Sequence, residues 1–98
     1  MKKVLVRYKL HPERVADNEA LVREVYRQLH EQRPDGIRYA TYKLPDGVSF
    51  VHIGSYQTEA AHKAFTSLSA FRNFQAGIKD RCEELPAVNA VEEIGFYA

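Results

Sequence analysis

His52 stands in the middle of an apolar, β-branched run, Phe50-Val51-His52-Ile53-Gly54, and its type and setting are the ones most suggestive of chemistry. Imidazole changes charge near neutral pH, so a strand histidine facing a cavity can take a phenolic proton as a general base. Strand alternation puts His52 on one face with Phe50 and Gly54, and the glycine leaves room for a ligand. The competing account is a hydrogen-bonded histidine at a subunit interface. Four phenols, Tyr8, Tyr39, Tyr42 and Tyr56, fall on three strand-like stretches, and Tyr26 and Tyr97 complete the set. An apolar ring with a polar tip suits a pocket for aromatic ligands, although strand tyrosines also serve packing. Tyr8 is the strongest of these, because it alternates with valines on a strand expected at the centre of the sheet. Asn73, beside an apolar helical stripe, could hydrogen-bond a substrate carbonyl or simply face solvent.

Other reactive side chains lack a constellation. His62 lies near the start of a helix and forms no metal-ligand spacing with His52. Glu92 and Glu93 are adjacent, so on a strand they point to opposite faces and cannot pair as acid and base. Ser67 and Ser69 lack a nucleophile-elbow context. Cys82 ends an apolar stripe and reads as a packing residue.

The elements that must position these groups follow from periodicity. Val4, Val6, Tyr8 and Leu10 alternate as in a half-buried strand. His11-Pro12-Glu13 reads as the start of a helix with proline at its first position, and Val15, Val22, Val25 and Leu29 carry its buried stripe to Gln32. Arg33-Pro34-Asp35-Gly36 stops it. Residues 36–44 and 48–56 read as a hairpin around Pro45-Asp46-Gly47. Thr58 caps a second helix that buries Ala61, Ala64, Phe65 and Leu68, and Ser69 is expected to cap a further segment. Phe71, Phe74, Ile78 and Cys82 extend that helix to Glu84-Leu85-Pro86, and Val88 to Tyr97 supplies the last strand.

This βαββαβ order, with right-handed crossovers, predicts an α+β ferredoxin-like fold: a four-stranded antiparallel sheet, order 4-1-3-2, with both helices on one face. Apolar residues on both faces of the strands call for a second cover, so the expectation is a homodimer with sheets packed face to face. The 98 residues read as a single domain near the lower edge of self-sufficiency. With 45% hydrophobic and 28% charged residues the composition is that of a globular protein. A net charge of +1 with no basic block argues against nucleic acid as a partner. Arg7 and Lys9 end the first apolar run too early for a secretory signal, and no stretch reaches membrane-span length. A single cysteine fits a reducing compartment, so a cytoplasmic location is expected.

Pro34-Asp-Gly-Ile, Phe50-Val-His-Ile-Gly-Ser-Tyr, Ser69-Ala-Phe-Arg-Asn-Phe and Glu84-Leu-Pro together resemble the antibiotic-biosynthesis-monooxygenase-like family of dimeric α/β barrels. The resemblance spans nearly the whole chain. It implies a homodimer and, among several family activities, a cofactor-free oxygenase acting on a quinol or polycyclic phenol. The haem-degrading branch uses an Asn in the first strand and a Trp and a His in the second helix. Here Phe65 and Gln75 fall where that Trp and His would be, so no haem ligand and no cofactor are expected. Many quinol-oxygenase-like members carry a helical histidine at the position of Phe65, and His62 lies one turn earlier. The expected site is therefore His52 as catalytic base, with Tyr8, Asn73, Phe65 and His62 toward the substrate. The alternative is a dimer of the same fold that binds a small molecule, or serves structure, without reaction.

Overall fold

Alternating polarity makes the first strand, and in the computed structural model, which describes residues Met1–Ala98, that strand lies inside the sheet. β1 (Lys2–Leu10) leads through a 3-10 turn (Pro12–Arg14) into α1 (Val15–Gln32). Then come β2 (Ile37–Lys43), β3 (Ser49–Tyr56), α2 (Glu59–Thr66), α3 (Ser69–Ala76), α4 (Ile78–Arg81) and β4 (Cys82–Ala90). The strands form one antiparallel sheet in the order β2-β3-β1-β4, the expected ferredoxin-like α+β arrangement.

Register assigns the two faces. Val4 opposes Gly54, Val6 opposes His52 and Tyr8 opposes Phe50, so these residues share one face. On that face Tyr8, Leu10, Phe50 and Tyr56 bury against Val22 and Val25 of α1 and against Phe65, Leu68 and Phe74. Removing each large apolar side chain from water stabilises the fold by about 1.5–3 kcal/mol. The other face carries half-buried Leu5, Ala40, Val51 and Ile53, with exposed Arg7 directly opposite Val51 and Lys9 one row beyond it.

The hairpin forms as its turn residues require. Gly47 adopts φ +77°, and the Asp46 carboxylate accepts from the Val48 and Ser49 amides at 3.0 and 2.8 Å and from Ser49 Oγ at 2.6 Å. Thr58 caps α2 as expected, its Oγ1 accepting from Ala61 N at 3.0 Å. The cap of α3 differs from expectation. Ser69 makes no capping bond; the Ala70 amide donates instead to Gln28 Oε1 of α1 at 2.9 Å, while Gln28 Nε2 donates to Ser69 Oγ at 2.7 Å. A side chain distant in sequence has taken the local residue's place, tying α3 to α1.

Two boundaries are corrected. Proline at position 12 opens a 3-10 turn, and the α-helix starts only at Val15. The second helical region breaks at Gly77 and ends at Arg81, so Cys82 begins β4 and Val91–Ala98 forms no strand. Pro86 was the misleading residue. β4 is an edge strand, where a missing N–H is tolerated, and the register shifts between Arg7 and Lys9 so that Leu85 and Pro86 together oppose Tyr8. The tail beyond β4 is held by Val91 N on Lys3 O at 3.0 Å, a Lys3–Glu93 ion pair at 2.8 Å, and the Arg38 guanidinium 5.3 Å from the Phe96 ring.

Gln28→Ala is expected to lower stability by about 1 kcal/mol, read from the urea midpoint. An unchanged midpoint would show that the borrowed cap contributes nothing.

Candidate functional site

Tyr8 of β1 and Tyr39 and Thr41 of β2 reach the helix-facing side of the sheet and meet there at His52 of β3. Nε2 of His52 lies 2.7 Å from Tyr8 Oη; Nδ1 lies 2.8 Å from Tyr39 Oη and 3.0 Å from Thr41 Oγ1. The imidazole is only 3% exposed. Thr41 opposes His52 directly in the β2–β3 register, whereas Tyr39 sits opposite Gly54 and leans along the sheet to reach the ring. Gly54 permits that approach. A Cβ there would stand 2.6 Å from Tyr56 Oη and 3.2 Å from Tyr39 Cδ1. The histidine is thus hydrogen-bonded, but beneath the helices and not on the open face where a sheet-packed partner would lie.

Behind Tyr8 the chain of polar contacts continues. Asn18 Nδ2 donates to Tyr8 Oη at 2.9 Å, and Arg81 Nε donates to Asn18 Oδ1 at 3.1 Å. Arg81 is 2% exposed, with no carboxylate partner. Its charge is met by Asn18, by the Phe74 carbonyl oxygen at 2.6 Å and by the Phe74 ring, whose centroid is 5.3 Å from Cζ. Burial lowers its pKa. On the far side, Tyr26 Oη lies 2.8 Å from Thr41 Oγ1. Seven side chains from opposite ends of the sequence therefore join in one chain of contacts: Arg81, Asn18, Tyr8, His52, Tyr39, Thr41 and Tyr26.

Counting donors assigns the histidine tautomer. A guanidinium can only donate, so Asn18 turns its oxygen to Arg81 and its NH2 to Tyr8. Tyr8 Oη accepts from that amide, and the one acceptor left for its own proton is His52 Nε2. The ring proton then resides on Nδ1 and is donated toward Tyr39 and Thr41. Either tautomer leaves one phenolic proton without an acceptor in the protein. The assigned one leaves that of half-buried Tyr39 at the cavity wall, whereas the opposite one would leave that of Tyr8, 2% exposed, at a cost of about 1–3 kcal/mol. Burial pulls the His52 pKa down to about 4, so the ring is neutral at neutral pH. Burial likewise raises the pKa of Tyr8, against the opposing pull of its Asn18 hydrogen bond.

In front of this network lies a cavity of about 210 Å³, lined by Val4, Val6, Tyr39, His52, Tyr56, His62, Phe65 and Phe71 among others. A second lobe of about 110 Å³ runs toward Tyr8, Phe74 and Ile78. The lobes share His52, Tyr39 and Gln75, and both reach Val88, a rim residue 67% exposed. The walls are aromatic: Phe65 packs 4.5 Å from Tyr39 and 4.6 Å from Phe71 between ring centroids, and His62 sits edge-on to Tyr56 at 4.8 Å. An apolar cavity of ~150 Å³ can hold benzene, so this one accommodates a one- or two-ring aromatic molecule.

Of the residues expected from sequence, His52, Phe65 and His62 line the main lobe and Tyr8 the second. Asn73 does not join them. It is exposed and faces a groove with Leu21, Glu24 and Gln28, because α3 turns that side toward α1. The lining also takes in Tyr39, one of the strand phenols suited to a pocket, and Gln75, the counterpart of the haem branch's histidine, whereas the sequence reading has no site role for Thr41, Asn18 and Arg81. Asn18 and Arg81 carried a readable signal: each is a polar residue at a stripe position, Asn18 between Val15 and Val22, Arg81 seven residues after Phe74. The two cavity histidines have no acidic or thiol side chain beside them that would complete a metal-ligand set.

Residues 1–77 match the family model described as antibiotic biosynthesis monooxygenase. The chain belongs to this family. No functionally curated protein matches it by sequence. Among solved structures, an antibiotic biosynthesis monooxygenase superposes with a TM-score of 0.79 at 18% identity, covering 97% of this chain and 100% of that one. A Mycobacterium tuberculosis protein gives 0.80 at 19% identity, covering 99% and 98%. A Nitrosomonas europaea protein of unknown function gives 0.75 at 14% identity, covering 99% and 92%. At such identities the family's fold is shared. No helix of the chain is long and apolar enough to cross a membrane.

Two outcomes are expected from this geometry. The folded His52 pKa of about 4 lies below the ~6.5 of an unfolded chain. Between those values only the unfolded chain binds the proton, so stability falls as pH drops from about 6.5 to about 4, by about 3 kcal/mol in all. Urea midpoints across that range should fall less steeply in His52→Gln than in the parent; equal slopes would contradict the buried neutral ring. Gly54→Ala should displace the Tyr56 ring into the cavity and destabilise the protein by about 1–3 kcal/mol, measured by thermal unfolding. A variant of parental stability would show that the close approach at Gly54 is unconstrained.

Proposed function

We propose that this family member is a cofactor-independent monooxygenase acting on a small aromatic hydroquinone or phenol, and that it works as a homodimer packed through the open sheet face. The observation that carries the reading is the aromatic-walled cavity of about 210 Å³, with hydroxyl and imidazole groups on its sheet side. Its size favours one or two rings over a larger polycycle. The half-buried apolar centre of the open face, Leu5, Ala40, Val51 and Ile53, supports the dimer.

In the proposed reaction the substrate supplies every electron. A hydroquinone loses a proton, its electron-rich ring reacts with dioxygen, one oxygen atom enters the ring and the other leaves as water. The product is a hydroxyquinone, which balances atoms and electrons without a further reductant. The two histidines divide the work. Both nitrogens of His52 are engaged and its charged form is disfavoured by burial, so we assign it a positioning role in place of the base expected from sequence. His62 lines the cavity with no hydrogen bond from its ring to the protein, which leaves it able to take the substrate proton. Neutral hydroxyls then face the charge developing on the substrate oxygen.

Oxygen uptake with one- and two-ring hydroquinones, measured above the protein-free rate and in the presence of chelator, is the test. Protein-dependent uptake that falls about 100-fold or more in His62→Ala is expected. Absence of uptake across the panel, in a protein that still binds aromatic ligands, would instead favour a binding dimer.

A further inference from the structure

The hydrogen-bond count that fixes His52 leaves one proton unassigned. Three hydrogens belong to the Tyr8–His52–Tyr39 unit: two phenolic and one on the ring. With Tyr8 donating to Nε2 and Nδ1–H donating toward Tyr39 Oη, the Tyr39 hydroxyl proton has no acceptor in the protein, since His52 Nδ1 is the one hydrogen-bond partner of that hydroxyl. Tyr39 lines both lobes of the cavity. A second phenol beside it is also free. Tyr56 is not hydrogen-bonded to the protein through its Oη, which is not fully enclosed; it lines the main lobe, and the Oη lies across Gly54, 2.6 Å from where a Cβ would stand. Both rings start from strand positions flanking that glycine, Tyr39 opposite it on β2 and Tyr56 two residues on along β3. Burial raises the pKa of both, with Tyr56 pushed up to about 12 and Tyr39 raised further by the nearby Tyr56 charge, so at neutral pH both are donors.

We propose that Tyr39 and Tyr56 form a two-phenol donor site over Gly54 that holds an acceptor oxygen, a carbonyl or a ring oxyanion, of a one- or two-ring aromatic ligand. This rests on the reading of the cavity as an aromatic site and names the ligand atom that reading leaves open. Tyr39 is the stronger of the two donors. It accepts from Nδ1–H of His52 while donating to the ligand, and hydrogen bonds in such a chain polarise one another. Arg81 and Asn18 act through Tyr8 and His52 to keep that direction. The Phe65 and Phe71 rings supply the apolar enclosure that makes an unpaired donor costly and a paired one selective.

The test compares 1-indanone with indane, which share a ring frame and differ at the carbonyl; neither reacts with dioxygen. The parent protein should bind indanone, with the bound carbonyl stretch shifted to lower frequency in infrared difference spectra. Tyr39→Phe should lose about tenfold in indanone affinity, relax the carbonyl shift and leave indane affinity unchanged. Tyr56→Phe should do the same to a smaller degree. Equal losses for both ligands, or an unshifted carbonyl in the parent, would overturn the donor site. Failure of both ligands to bind would overturn it together with the aromatic-cavity reading. Specific indanone binding without oxygen uptake from any hydroquinone would uphold the donor site and remove only the oxygenase reading.

Discussion

The contact on which the site depends is the hydrogen bond from a buried, carboxylate-free Arg81 to Asn18. A guanidinium has no acceptor, so this one bond decides which way the Asn18 amide faces, and the amide decides where the Tyr8 proton goes. From there the direction passes through His52 to Tyr39 at the cavity wall. Burying a charge without a counter-charge costs several kcal/mol, and here a carbonyl oxygen and an aromatic face offset it. That expense is hard to explain as packing, because an apolar side chain would fill the same space more cheaply. It makes sense as the means of fixing one tautomer in a dry interior.

The sheet does the rest. Antiparallel register places Thr41, His52 and Val6 in one row across three strands and Tyr39, Gly54 and Val4 in the next. Two rows, one polar at its centre and one open at its glycine, are enough to make a floor that donates hydrogen bonds beneath a cavity. The helices contribute the roof, and the break around Ser67-Leu68 lets Phe65 and Phe71 meet over it from two short helices. A single straight helix would present residues six apart about 120° from alignment on its surface. The interruption of the second helix therefore belongs to the site as much as to the fold.

Much of this was legible in sequence. The hairpin around Asp46-Gly47, the Thr58 cap and the strand order followed from turn chemistry, alternation and crossover handedness, all of them local or topological rules. His52 was recognisable because a titratable residue interrupted an apolar strand. Its role was not, since that depends on Asn18 and Arg81, 34 residues before it and 29 after. Alternation gives the face of a residue and says nothing of what lies across from it. Tyr39 was underrated beside Tyr8 for the same reason: its lean over Gly54 is a consequence of register with β3. The last strand was misplaced because Pro86 reads as a stop, whereas an edge position with a bulge accommodates it. Asn73 was misassigned by one helical face, an error that adjacent positions on an amphipathic helix readily produce.

The direction of the whole hydrogen-bond network depends on the proton position of one imidazole, and nitrogen NMR of histidine-labelled protein at neutral pH reads it directly. His52 is predicted to show a pyrrole-type resonance at Nδ1 and a pyridine-type resonance at Nε2, with no sign of a charged ring. An Nε2–H tautomer, or a ring that titrates near pH 6.5 like an exposed histidine, would contradict it.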